Sequence, residues 1–132
     1  MTYLLDTNII SYIVAENQTV LEKLSAIIEN YDIVKIPVVA YYEIRRGLYK
    51  VASESKRIRF QNLLEKLGIE EMTTETFTIA AQIYEDLAKE GKVIEDDDIF
   101  IGATALESNA ILVTNNEKHL GHINGLKIEM WN

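Results

Sequence analysis

Residues 3–14 read YLLDTNIISYIV. An apolar run, Tyr3 to Leu5, stops abruptly at Asp6, Thr7 and Asn8, as a buried strand does when it opens into a polar turn. Asn8 to Val14 is then expected to form a short helix. Strand, polar turn and helix in succession are the building unit of a parallel sheet.

The same alternation continues along the chain. Leu21, Leu24, Ile27 and Ile28 recur at helical spacing. Val34 to Ile36 form a second strand ended by Pro37, and the segment from Val38 to about Gly47 returns to helix. Lys56 to Leu67 predicts a helix broken by Gly68, and Ile69 to Met72 a short strand. Thr76 to Lys89 and Asp98 to Glu107 predict two more helices, followed by strands over Ala110 to Thr114 and Lys127 to Trp131, the last an edge strand that Trp131 covers. The expected fold is α/β, with helices covering both faces of a central, mainly parallel sheet. With neither repeats nor a linker, one domain over residues 1–132 is expected.

Composition narrows the function. Thirteen Lys and Arg against 21 Asp and Glu give a formal charge of −8, which opposes binding to nucleic acid or an anionic membrane unless basic residues cluster or a bound cation reverses the local sign. The absence of cysteine leaves no disulfide framework and no thiolate chemistry. The opening MTYLLDTNIISYIV lacks a basic leader before an uninterrupted apolar segment, so the cytoplasm is the expected compartment, without membrane association.

The topology gathers acids. In open α/β sheets ligands bind beyond the carboxyl ends of the strands. Asp6 follows the first strand, Glu43 lies on the helix after the second, and Asp98 begins the helix that precedes the Ala110 to Thr114 strand. Carboxylates crowded together repel, so such a cluster takes up protons or binds positive charge, and oxygen donors favour Mg2+ or Mn2+. A purely structural alternative stands beside this one: Asp6 and Asp98 as helix N-caps and Glu43 as an ordinary exposed helix residue.

Four segments, LLDTNIISYI, PVVAYYEIRRGLY, GKVIEDDDIFIGATAL and AILVTNNEKHLGHINGLKIEMW, fall in this order across nearly the whole chain. Together they resemble the PIN-domain ribonucleases, particularly the VapC-type toxins. The resemblance implies a three-layer α/β/α fold and a metal-dependent endoribonuclease in which water, activated by Mg2+ or Mn2+, attacks an RNA phosphodiester and leaves a 5′-phosphate and a 3′-hydroxyl. It makes Asp6 and Asp98 the first metal ligands and Glu43 a third, direct or water-mediated participant. Thr114 would position water or metal, and Asn116 stands where many PIN domains carry a fourth acid, which favours one protein-bound ion over two permanent ones. A homodimer, a cognate antitoxin, and tRNA or rRNA as targets are implied in the same way.

Other residues take supporting expectations. Asp96 is read as an outer acceptor or an approach to the metal, against plain solvation of the helix start, whereas Glu95 and Asp97 supply field and solubility. Arg45 and Arg46, on the helix of Glu43, are candidates for substrate contact, although neighbouring helical positions point in different directions. His119 and His122 form no recognisable zinc motif, and Tyr41, Tyr42 and Tyr49 are compatible with a groove, an interface or core packing. A receiver-like or phosphatase-like magnesium domain is a rival enzyme reading, but a receiver needs a further central phosphoacceptor Asp and a late strand-end Lys that find no place here. The remaining alternative is a noncatalytic RNA-binding or antitoxin-binding PIN domain.

Overall fold

A computed structural model describes residues 1–131; Asn132, the last residue of the domain expected over 1–132, lies outside the described residues. Five strands, β1 (Thr2–Leu5), β2 (Ile33–Pro37), β3 (Ile69–Glu70), β4 (Ile111–Val113) and β5 (Lys127–Glu129), form one sheet in the order β3-β2-β1-β4-β5. Every pairing is parallel, with Tyr3 opposite Val34 on one side and Ile111 on the other. Leu4, Leu5, Ile36, Leu112 and Val113 are fully buried, which is why these strands read as continuous apolar runs rather than alternating ones.

Parallel strands need crossovers, and helices supply them. Between β1 and β2 run α1 (Thr7–Val14) and α2 (Gln18–Glu29); between β2 and β3 run α3 (Val38–Tyr49) and α4 (Glu54–Leu67). The return from β3 passes β2 and β1 through α5 (Thr74–Lys89) and α6 (Asp96–Glu107) to reach β4, and α7 (Glu117–Leu120) precedes β5. Right-handed crossovers leading in opposite directions from β1 put α1 to α4 on one face and α5 to α7 on the other. The packing agrees: α1 lies against α2, α3 and α4, while α6 lies against α5 and α7. The layers expected from the sequence are therefore observed, with a sheet that is wholly parallel.

Helix starts differ from the apolar periodicity in a consistent way. Four helices begin one or two residues early, at Thr7, Glu54, Thr74 and Asp96, the first three because a capping side chain precedes the first apolar position. Asp6 accepts from Thr7 N, Ser53 from Lys56 N, and Thr73 closes a reciprocal capping box with Thr76. The final strand ends at Glu129, short of the expected Trp131. That indole is 2% exposed and donates Nε1–H to Glu129 at 2.7 Å.

The chain leaves β1 towards β2 in one direction and reaches β4 on the other side, so the sheet has its switch point between the carboxyl ends of β1 and β4. Asp6 and Thr114 stand there, one residue beyond their strands.

Candidate active site

Asp6 is 4% exposed, and a carboxylate so placed must have partners. Its Oδ1 accepts from Thr7 N at 2.7 Å, and its Oδ2 accepts from the Thr114 hydroxyl at 2.7 Å. Thr114 is fully buried and its Oγ1 also accepts from Asn116 N at 2.9 Å, so one hydroxyl ties the turn after β4 to the end of β1. Asn8 adds a second tie, its Oδ1 accepting from Asn115 N at 3.3 Å.

Glu43 arrives from α3. Its Oε1 accepts the Thr7 hydroxyl at 2.6 Å, so Thr7 holds Asp6 with its backbone and Glu43 with its side chain. Asp98 arrives from the first turn of α6, where its Oδ2 lies 3.4 Å from Asn116 Nδ2 and 3.6 Å from His119 Nδ1. The three acids read from the sequence therefore surround the same strand ends.

The earlier start of α6 also decides which neighbours of Asp98 face the cluster. Asp96, Asp97 and Asp98 all occupy the first helical turn, where the helix dipole favours negative charge. Asp97 faces Glu43 across a cleft of about 670 Å³, and its Oδ1 accepts from Asp98 N at 3.0 Å. Asp96 instead lines a separate depression with Tyr84 and His119. The sequence assigns Asp97 to field and solubility, because the immediate neighbours of a site-facing Asp98 are expected to point elsewhere. A start at Asp96 would have brought it in.

Burial is the first reason that the carboxyl of Asp6 titrates above its ordinary range; the bonds from Thr114 and Thr7 oppose it, and the charge of Asp97 adds to it. Asp98 is raised by burial and then by the charges of Asp97 and Asp6, against a lowering from His119. Glu43 is pushed up to about 7, by burial and then by the hydrogen bond its protonated form makes to Asp97, with the Thr7 hydroxyl opposing. All three shifts have the sign of a cluster holding more negative charge than its surroundings compensate.

Such a cluster suits a hard divalent cation. Among the described residues no three His, Asp or Glu side chains are gathered into a ready cage. Magnesium does not require one, because it keeps several waters and binds through one or two carboxylates together with substrate phosphates. Asp6 and Asp98, with Glu43 beside them, offer that all-oxygen donor set, and the raised carboxyls supply the uncompensated charge.

The two arginines on α3 separate. Arg45 lies 5.4 Å from the ring centre of Tyr41 and 5.6 Å from that of Phe60, and donates to Tyr41 Oη and Gln61 Oε1, which commits it to the packing of α3 on α4. Arg46 lies over Tyr42 at 5.2 Å and lines the same cleft as Glu43 and Asp97.

Known proteins share this arrangement of elements. The profile of the PIN domain matches residues 3–125. Ribonuclease VapC1 of Haemophilus influenzae is 29% identical over 133 residues, covering 99% of this chain and 98% of its own, and Ribonuclease VapC1 of Methanocaldococcus jannaschii is 34% identical over 70% of this chain and 68% of its own. The solved structure of VapBC2 from Rickettsia felis bound to a DNA fragment from its promoter contains a chain that superposes with a TM-score of 0.92 at 26% identity, over the full length of both.

Proposed function

The chain belongs to the PIN domain family, in its VapC branch, and from that premise we propose that it is an endoribonuclease toxin that hydrolyses RNA phosphodiesters at the Asp6, Glu43 and Asp98 cluster. The observation that carries this reading is the convergence of three tethered acids at the switch point of a parallel sheet, in a chain whose relatives are ribonucleases.

Asp6 and Asp98 would hold one Mg2+ or Mn2+ ion, with Glu43 joining directly or through water. When bound, such an ion supplies positive charge that stabilises the phosphate oxygens and makes nearby water more acidic. The remaining work falls to the chain's own groups. Thr114 and the Thr7 backbone keep both oxygens of Asp6 in place, so its charge needs no reorganisation as substrate arrives. Glu43 is held at Oε1 by Thr7, which leaves Oε2 to take a proton from the attacking water or return one to the leaving 3′-oxygen. Water attack leaves a 5′-phosphate and a 3′-hydroxyl.

Structured tRNA and rRNA are the proposed targets, in the cytoplasm, with a homodimer as the working form. A cognate antitoxin is the proposed inhibitor, supported by the neighbouring VapBC structures. A basic antitoxin side chain placed over the acids would suppress both metal and RNA access.

The test is to incubate the antitoxin-free chain with a pool that includes tRNA and rRNA, in magnesium or manganese, and to map the ends by sequencing. Discrete cuts, absent with EDTA and from Asp98→Asn, are expected. RNA binding by a folded, metal-supplied chain that leaves the pool uncut would favour a noncatalytic PIN domain.

A further inference from the structure

Tyr42 and Arg46 stand one helical turn apart on α3 and stack on each other, 5.2 Å from guanidinium carbon to ring centre. Tyr42 is 58% exposed, with the Arg46 guanidinium over its ring. Both line the cleft that contains Glu43 and Asp97, whose other walls include the apolar Val38, Val39 and Phe100. Arg46 is the one basic residue among the residues lining that cleft. The stack is therefore continuous with the carboxylate cluster, offers a flat face, and carries the charge an RNA phosphate seeks.

Resting on the ribonuclease reading, we propose that the Tyr42–Arg46 stack is the platform on which the nucleobase beside the scissile phosphate lies, and that these two residues set affinity for the RNA. Unpaired RNA bases stack on aromatic rings and on guanidinium planes, and such stacking contributes substantially to binding without needing a positively charged protein. That matters for a chain of net charge −8, whose overall field repels the substrate. Arg45 cannot share the role, since its guanidinium lies against Tyr41 and Phe60.

The experiment uses the full chain and a short RNA carrying a mapped cut, with 2-aminopurine replacing the base next to it. Tyr42→Ala and Arg46→Lys should each raise KM roughly ten- to a hundredfold, with kcat held within about threefold. Tyr42→Phe should restore KM. Quenching of 2-aminopurine, followed on the Asp98→Asn background so that cutting does not intervene, should be lost with Tyr42→Ala. Arg46→Lys matching wild type would reduce Arg46 to a point charge and overturn the platform. So would a Tyr42→Ala chain that changes its oligomeric mass in light scattering but keeps KM and quenching, since Tyr42 would then serve a contact between copies. Cutting that needs Asp98 but ignores Tyr42 and Arg46 sinks the platform and leaves the ribonuclease standing. A wild-type chain that neither binds nor cuts RNA removes both.

Discussion

Thr114 shows how much one hydroxyl does at this site. It is fully buried, donates to Asp6 Oδ2, and accepts from Asn116 N. Thr114→Val keeps the shape but leaves a buried carboxylate oxygen and a backbone N–H without that partner, which costs about 1–3 kcal/mol for each group left unsatisfied. Chemical denaturation should show a loss of that order, with RNA cutting reduced as Asp6 loses its orientation. Glu43 gives a second prediction at this scale. Its carboxyl titrates at about 7 in the folded chain against an ordinary 4.5, so the folded state holds the extra proton between those values. The contribution of Glu43 to the stability of the metal-free protein is therefore fully present below about 4.5 and is lost as pH rises through 7. Melting temperatures in EDTA between pH 5 and 8 measure this slope, and Asp97→Asn should flatten it by removing a neighbouring negative charge and replacing one carboxylate oxygen with an amide donor. The placement of Asp6, Glu43 and Asp98 towards one sheet edge was legible because Asp6 follows a strand, Asp98 lies at the start of a helix and Glu43 stands on the helix after β2. The place of Asp97 was not, because it depends on where α6 begins to within one residue.

At the scale of elements, the sheet and its crossovers could be read from short apolar runs and from helical spacing, but the ends could not. Ser53 and Thr73 are polar cap residues that precede the first apolar helical position, so periodicity alone starts α4 and α5 two residues late. α7, only four residues long, is too short for any period to register. Gly68 was legible as a helix breaker, and the structure gives its reason. It ends α4 at φ 82° and ψ 174°, a region that residues with a Cβ scarcely enter, and turns the chain directly into β3. Gly68→Ala should cost about 1–3 kcal/mol, read as a lower denaturation midpoint with an unchanged slope. An unaffected midpoint would mean that the turn relaxes into an ordinary conformation.

The whole molecule couples its fold to its charge. The parallel sheet brings acids from distant parts of the chain to one edge, where burial first, and then the neighbouring negative charges, disfavour their ionised forms. A divalent cation that binds only the folded state should stabilise it by about 1.4 kcal/mol at ten times its Kd and about 2.7 kcal/mol at a hundred times. Thermal melts with added Mg2+ or Mn2+ should rise accordingly, and Asp98→Asn should remove most of the rise. The family was legible from motifs spread over nearly the whole chain. The cleft beside Glu43 was not, because its walls come from separate helices. The most direct test of RNA hydrolysis at these acids is the chemistry of the cut. A cleaved RNA carrying a single 2′-deoxynucleotide at the scissile position should still be cut by the wild-type chain, leaving a 5′-phosphate and a 3′-hydroxyl. Loss of cutting at that position, or 2′,3′-cyclic phosphate ends on the all-ribose substrate, would show that the RNA supplies its own nucleophile and would contradict water attack at the carboxylate cluster.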